Sequence, residues 1–408
     1  MKKILFSNIV FSVLVILFGL IGSIIISRVL GPTQRGEIAA ILIWPSLLLY
    51  LGSFGTYQSI IYYFSKENRE RKNIWGTCLY LTAINSIISI VAGTLLIFIT
   101  LNVLSIHLKW YSFILLLTLP LSVLNQFISS LLQAKSKFKV FNFTRLFFPI
   151  AYFVGILVLF FFNFLSVENI IVLQIGITII QFLVFLKIYD VNFHSNFKIN
   201  IHIKTIKIIY NYGFKVWIGD LSQGLNVKMD QILISSLLIS SDLGIYVVAN
   251  SFASFTNIIP TAYKTIFLPK IAALKSFLDK KIVASKMLTQ FFILNIIATV
   301  FTLIINPFAI SLLFGHEFLK AITIAYVLLI GYLFLNLKIV LAAIIQGFGK
   351  PLFSSYSEIF GLVVLVLIIY PLTIKYKLIG ASVAISISYF LQFCFLYILY
   401  LRFLNQKK

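Results

Sequence analysis

Residues 5–29 read LFSNIVFSVLVILFGLIGSIIISRV, with a single charge close to the far end. About 20 apolar residues at the helical rise suffice to cross a hydrocarbon core. Eleven further runs of this kind follow, at about 38–64, 75–101, 110–134, 146–165, 167–188, 210–238, 243–268, 288–313, 321–346, 352–374 and 378–401. A membrane-spanning strand needs only about half that length and a period-two alternation, which these runs lack. Unpaired backbone is not tolerated in lipid, so a bundle of helices is the remaining solution. The expected fold is an all-α polytopic membrane protein with about twelve transmembrane helices.

The chain has 408 residues, 61% of them hydrophobic. Spread over twelve spans, that length leaves no segment able to form a water-soluble domain. An enzyme would have to work inside the membrane. The net charge of +22 would suggest nucleic acid on a soluble protein. Its distribution argues otherwise. With the N-terminus inside, 25 Lys and Arg fall on the inner side and 6 on the outer, while Lys228 and Lys338 fall within spans. This bias follows the positive-inside rule and predicts both termini in the cytoplasm. The basic character is then a topology signal and an attraction to anionic headgroups, and no nucleic-acid partner is expected.

Met1-Lys2-Lys3 before an apolar run resembles a signal peptide, but no small-residue cleavage site follows within about 25 residues, so a retained first helix is expected. Cys78 and Cys394 both fall within spans and suggest neither a disulfide framework nor metal spacing. His107, His194, His202 and His316 are scattered in loops. No metal and no cofactor is expected.

The longest polar-flanked connection, about Asp190 to Ile209, separates six spans from six. It is basic, and Phe197, Ile199, Ile201 and Ile203 alternate within it, as in a plain linker or a segment lying on the headgroups. The expected organisation is an N-terminal lobe at 1–188, a cytoplasmic linker at 189–209 and a C-terminal lobe at 210–408, with a central cavity between the lobes. A faint repeat supports two lobes. Gly36-Glu37-Ile38-Ala39-Ala40 opens the second span and Gly244-Ile245-Tyr246-Val247-Val248-Ala249 the eighth. With an even number of spans per half, the halves insert in one orientation, the parallel symmetry found in transporters.

No nucleophile–base pair and no phosphate-cradling glycine loop is present, so the chain is not read as an enzyme. The informative residues are charges at membrane depth, each costing about 2.5–3.5 kcal/mol when central. Arg28 ends the first span and Arg35 follows it; they suit snorkelling to outer phosphates or an anion contact at a cavity mouth. The seventh span carries Asp220, Lys228 and Asp230 among Gly213, Gly219 and Gly224. Lys228 and Asp230 lie two apart, about 200° around a helix, so they cannot pair along one face. Lys264, near the inner end of the eighth span, suits snorkelling. Lys338 in the tenth span and Glu358 in the eleventh either pair across their hairpin or face a lumen, as an anion ligand and a cation site. Cations outnumber acids in this set, which suits a phosphate-bearing or acidic substrate.

Arg28-Val29-Leu30-Gly31-Pro32-Thr33-Gln34-Arg35-Gly36-Glu37, then Trp44-Pro45 and Gly52-Ser53-Phe54-Gly55, resembles the opening of O-antigen (Wzx-type) polysaccharide flippases. Met229-Asp230-Gln231-Ile232-Leu233-Ile234, Leu243 to Ala249, Pro260 and Leu268-Pro269-Lys270 extend the resemblance through the second half. The superfamily also holds multidrug and lipid II exporters. The resemblance implies an inner-membrane transporter that moves an undecaprenyl-pyrophosphate-linked oligosaccharide from the cytoplasmic to the periplasmic leaflet by alternating access. Its partners would be that substrate, membrane lipids, H+ or Na+ as coupling ion, and the polymerase and chain-length proteins of the pathway. Substrate contacts would come from Arg28, Arg35, Lys228, Lys264 and Lys338, and ion coupling or gating from Asp220, Asp230 and Glu358. A drug exporter of the same superfamily would favour an acidic or aromatic lumen. A polysaccharide polymerase would need an outer loop longer than the 4–14 residues expected here.

Overall fold

The computed structural model describes residues 2–66, 74–100, 105–135, 137–188, 203–274 and 276–406. Among them no strand occurs. The helices are α1 (Lys2–Leu51), α2 (Thr56–Lys66), α3 (Ile74–Thr100), α4 (Ile106–Leu116), α5 (Leu119–Ala134), α6 (Phe138–Phe161) and α7 (Val167–Ile188). There follow α8 (Ile203–Leu237), α9 (Ser240–Ala253), α10 (Ile258–Ala272), α11 (Phe277–Phe314), α12 (Lys320–Gly347) and α13 (Leu352–Asn405). Of the alternating residues in the basic connection, Phe197, Ile199 and Ile201 lie outside the described residues, as do His194 and His202.

Eight helical stretches are long and apolar enough to cross a membrane. Two of them, in α1 and α13, each hold two passes joined at a break. In α1 the break is Gly31, at φ 68° and ψ −179°, a conformation open to glycine because it has no Cβ. In α13 it is Lys377, at φ 50°. A methyl at nearby Gly380 would fall 1.9 Å from the Leu372 carbonyl oxygen, so this hairpin closes only around a glycine. α4 and α5, bent by 41°, make a further pass, with Pro120 in the first turn of α5 where its missing N–H costs nothing. α8, more polar than the rest, completes a set of about twelve. The eighth span is α9, a short 3-10 turn at Ser254–Asn257, and α10, with Pro260 in its first turn.

The outward side chains suit lipid. Phe161, Phe308 and Leu312 are more than 70% exposed, which would be unfavourable in water and is favourable against acyl chains.

The chain forms two compact units. The first holds residues 1–30 and 37–224 and the second 31–36 and 225–408. In the first, Ile60, Cys78, Leu81, Val123, Phe127, Leu131, Ala134 and Ile209 form a buried cluster. The N-terminal half of α8 is seated there by polar contacts. Ser59 Oγ donates to the Ile209 carbonyl (2.8 Å), Tyr210 Oη to Asn85 Oδ1 (2.7 Å), and Trp217 Nε1 to the Leu51 carbonyl (2.9 Å). Gly55 and Gly213 touch backbone to backbone: a methyl on Gly55 would lie 2.1 Å from the Gly213 oxygen. In the second unit α12 is central and packs on α9, α10, α11 and α13. Its buried core joins Phe267, Phe291, Leu337, Leu341, Ile344 and Leu396 with their neighbours.

Candidate functional site

The second unit gathers buried polar side chains from α8, α9, α12 and α13. Lys338 stands on α12 among Leu337, Val340 and Leu341, and is only 4% exposed. Its ammonium forms an ion pair with Glu358, near the start of α13, and donates to Gln392 Oε1 (3.0 Å) in the second pass of α13. Asn226 of α8 donates from Nδ2 to Glu358 Oε2 (2.8 Å) and to the Glu358 carbonyl (2.9 Å). Around them, Ser357 Oγ donates to the Gln392 carbonyl and Gln392 Nε2 to Ser388 Oγ. Gly361 makes room for the Gln392 amide: a methyl there would come 1.9 Å from Nε2.

Three helices, one of them through both of its passes, therefore converge on one pair of opposite charges. Each charge alone is costly at membrane depth. Together they neutralise one another, and the Asn226 and Gln392 amides add hydrogen bonds to the carboxylate and the ammonium, the kind of support a buried pair needs. In this conformation Glu358 and Gln392 both accept from the Lys338 ammonium.

A second group forms around Asp230 on α8, which is 3% exposed. Tyr246 of α9 donates its hydroxyl to Oδ2, and the Gln231 N–H donates to Oδ1 (2.7 Å). Lys228 turns away, as the spacing requires, and its Nζ donates to Gln231 Oε1 (3.2 Å). Lys228 is within electrostatic reach of both Asp230 and Arg35. Tyr332 and Tyr389, with ring centroids 5.8 Å apart, are within reach of Asp230, and Tyr389 is also within reach of Glu358. Tyr332 Oη in turn donates to Asn250 Oδ1 (2.9 Å). The two carboxylates thus belong to one polar seam.

Arg28 is exposed in the first unit, and Arg35 is half-buried in the 31–36 segment. Lys264 is exposed on α10. Asp220 lies in α8, and its side chain is outside the described set. A search for charges passes over Tyr246, Asn226 and Gln392, although polar amides in otherwise apolar spans are the signal that would find the last two. Among the described residues no group of three His, Cys, Asp or Glu side chains is placed to hold a metal ion.

Comparison with known proteins adds sequence and fold. The family model described as "Polysaccharide biosynthesis protein" matches residues 2–275. A putative O-antigen transporter of Shigella flexneri is 26% identical over 293 residues, which cover 71% of this chain and 69% of that protein. Capsular polysaccharide biosynthesis protein CapF of Staphylococcus aureus is 25% identical over 225 residues, 53% of this chain and 54% of CapF. Among solved structures, the lipid II flippase MurJ in an inward closed conformation superposes with a TM-score of 0.78 at 15% identity, covering 96% of this chain and 87% of MurJ. An inward-facing multidrug resistance MATE family transporter of the MOP superfamily gives 0.80 at 14% identity, with 96% and 94% covered. At these identities the two structures speak for the fold.

Proposed function

Because the chain belongs to the polysaccharide biosynthesis protein family, whose fold here is that of multi-pass flippases and exporters, we propose that it carries an undecaprenyl-pyrophosphate-linked oligosaccharide across the bacterial inner membrane. The movement runs from the cytoplasmic to the periplasmic leaflet by alternating access, with both termini in the cytoplasm. The observation that carries the reading is the buried Lys338–Glu358 pair inside a membrane-spanning unit.

Its chemistry suits an exchange of partners. A phosphate-bearing headgroup needs cations along its path, and Arg28, Arg35, Lys228 and Lys264 supply them. Lys338 joins them when Glu358 lets go. Protonation of Glu358, or capture of a cation by it, removes the carboxylate charge that holds the ammonium. The freed Lys338 then meets the substrate phosphate, and departure of the phosphate restores the pair. Asp230, held by Tyr246, and Asp220 on the same helix are the further acidic groups for coupling or gating. The prenyl tail remains in lipid throughout, so the protein desolvates only the charged headgroup and its sugars.

The test is flipping of a fluorescent undecaprenyl-pyrophosphate oligosaccharide in proteoliposomes, with an H+ or Na+ gradient imposed and then collapsed. Protein-dependent arrival of the glycan in the far leaflet, faster with the gradient, is the expected result. Absence of glycan movement alongside efflux of a cationic dye would overturn the reading in favour of drug export.

A further inference from the structure

The second unit carries a groove of about 410 Å³ that is separate from the polar seam. Lys281, Ser285, Leu288, Thr289 and Phe292 of α11 form one wall. Their spacing of four, three, one and three places them on a single helical stripe. The second pass of α13 presents the matching stripe, Phe393, Tyr397, Tyr400, Leu401 and Leu404, running the opposite way. Leu337 of α12 lines the groove as well. α12 packs on both α11 and α13. The gap is closed near one end, where the Phe277 and Phe403 rings meet at 5.9 Å. Lys281 stands at that end, near the chain's C-terminus. Among the described residues it has no carboxylate partner, whereas its neighbour Lys280 donates to the Gly347 carbonyl and lies over the Phe348 ring.

We infer that this groove binds one anionic phospholipid, its phosphate on Lys281 and one acyl chain between the α11 and α13 stripes. Three properties select that ligand. The walls are chiefly apolar, and Phe292, Tyr397 and Leu401 among them are exposed. The charged group in the lining, Lys281, is a cation, and basic pockets between transmembrane helices are suited to phosphate headgroups. The stripe from 281 to 292 spans about 17 Å at the helical rise, close to half of a hydrocarbon core of about 30 Å. That is the depth of one leaflet and the reach of an ordinary acyl chain; a long polyprenyl chain would overrun it. The inference stands independently of what the protein transports.

The experiment is native mass spectrometry of the purified full-length protein in detergent, with phosphatidylglycerol or phosphatidylcholine added. The wild type is expected to retain one phosphatidylglycerol in preference to phosphatidylcholine. Lys281→Ala should weaken that retention about five-fold, the worth of one lysine at a charged surface. Thr289→Trp, at an exposed position in the wall, should abolish retention of both lipids, while Thr289→Ala and Lys286→Ala outside the groove leave it unchanged. Wild-type retention in both Lys281→Ala and Thr289→Trp would overturn the assignment. So would equal binding of the two phospholipids, or displacement of phosphatidylglycerol by a polyprenyl phosphate at equal concentration.

Discussion

Gly36 and Gly244, the residues that open the two matching segments of the repeat, meet each other in the fold. A methyl on Gly36 would fall 1.8 Å from the Ser240 carbonyl oxygen, and one on Gly244 would fall 1.9 Å from that of Pro32. The obstacle in both cases is backbone, which cannot swing aside. Such close approach is the use to which small residues are put between membrane helices. Gly36→Ala and Gly244→Ala should each lower thermal stability in detergent, by an overpacking cost of about 1–3 kcal/mol. Gly19→Ala and Gly176→Ala, where nothing lies within 4 Å of the new methyl, should leave it unchanged or slightly raised. Equal melting of all four variants would contradict the contact.

Lys338→Ala removes one partner of a buried pair and strands the Glu358 carboxylate, at a cost of about 3–5 kcal/mol. The double variant Lys338→Ala/Glu358→Gln removes both charges and should recover much of that stability. A double-mutant cycle in thermal unfolding measures the difference. Additive effects would mean that the two side chains do not act as a pair. Transport should fail in both the single and the double variant, because the exchange of partners needs both charges.

Tyr246→Phe takes the hydroxyl from Asp230 Oδ2 without changing the ring. A buried acceptor left without its donor costs about 1–3 kcal/mol. Asp230→Asn keeps the size and removes the charge, so it should fold close to normally while flipping slows. Stability and glycan flipping measured on the same preparations separate the two effects. Normal flipping by Asp230→Asn would confine this carboxylate to a structural role.

Lys228→Ala and Arg35→Ala should reduce flipping of a pyrophosphate-linked glycan at unchanged protein level, and the loss should shrink as salt is raised and screens the surviving cations. Lys264→Ala, at an exposed site, should change stability by no more than about 0.5 kcal/mol, so any loss of flipping there reports on substrate. A full rate in all three variants would remove these cations from the transport path.

The membrane passes were legible because length and unbroken hydropathy are properties of local sequence. Their breaks were harder to see. An apolar run keeps its hydropathy across a bend, so the turn at Gly52–Gly55, the 41° angle before Leu119 and the 3-10 turn before Pro260 left only glycines and prolines as traces. The division of α8 was invisible, since Gly213 meets Gly55 in one unit and Asn226 meets Glu358 in the other through contacts far apart in sequence. The charges of the seam stood out because they are rare in such spans. Tyr246 and Gln392 did not, because uncharged polar groups occur in many helices and show a partner only once the helices are packed.

The nineteen residues between Lys338 and Glu358 also bear on biogenesis. α12 ends at Gly347 and α13 begins at Leu352, so the two charges sit on adjacent arms of one tight helical hairpin. Emerging singly from the translocon, each arm would carry an uncompensated ion into the bilayer, at about 2.5–3.5 kcal/mol apiece. Entering together, the arms present a neutral salt to the lipid. Synthesis of this part of the chain is therefore expected to hold the first arm at the lateral gate until the second arrives, and a pause there makes the ion pair a checkpoint for insertion as well as a part of the finished protein.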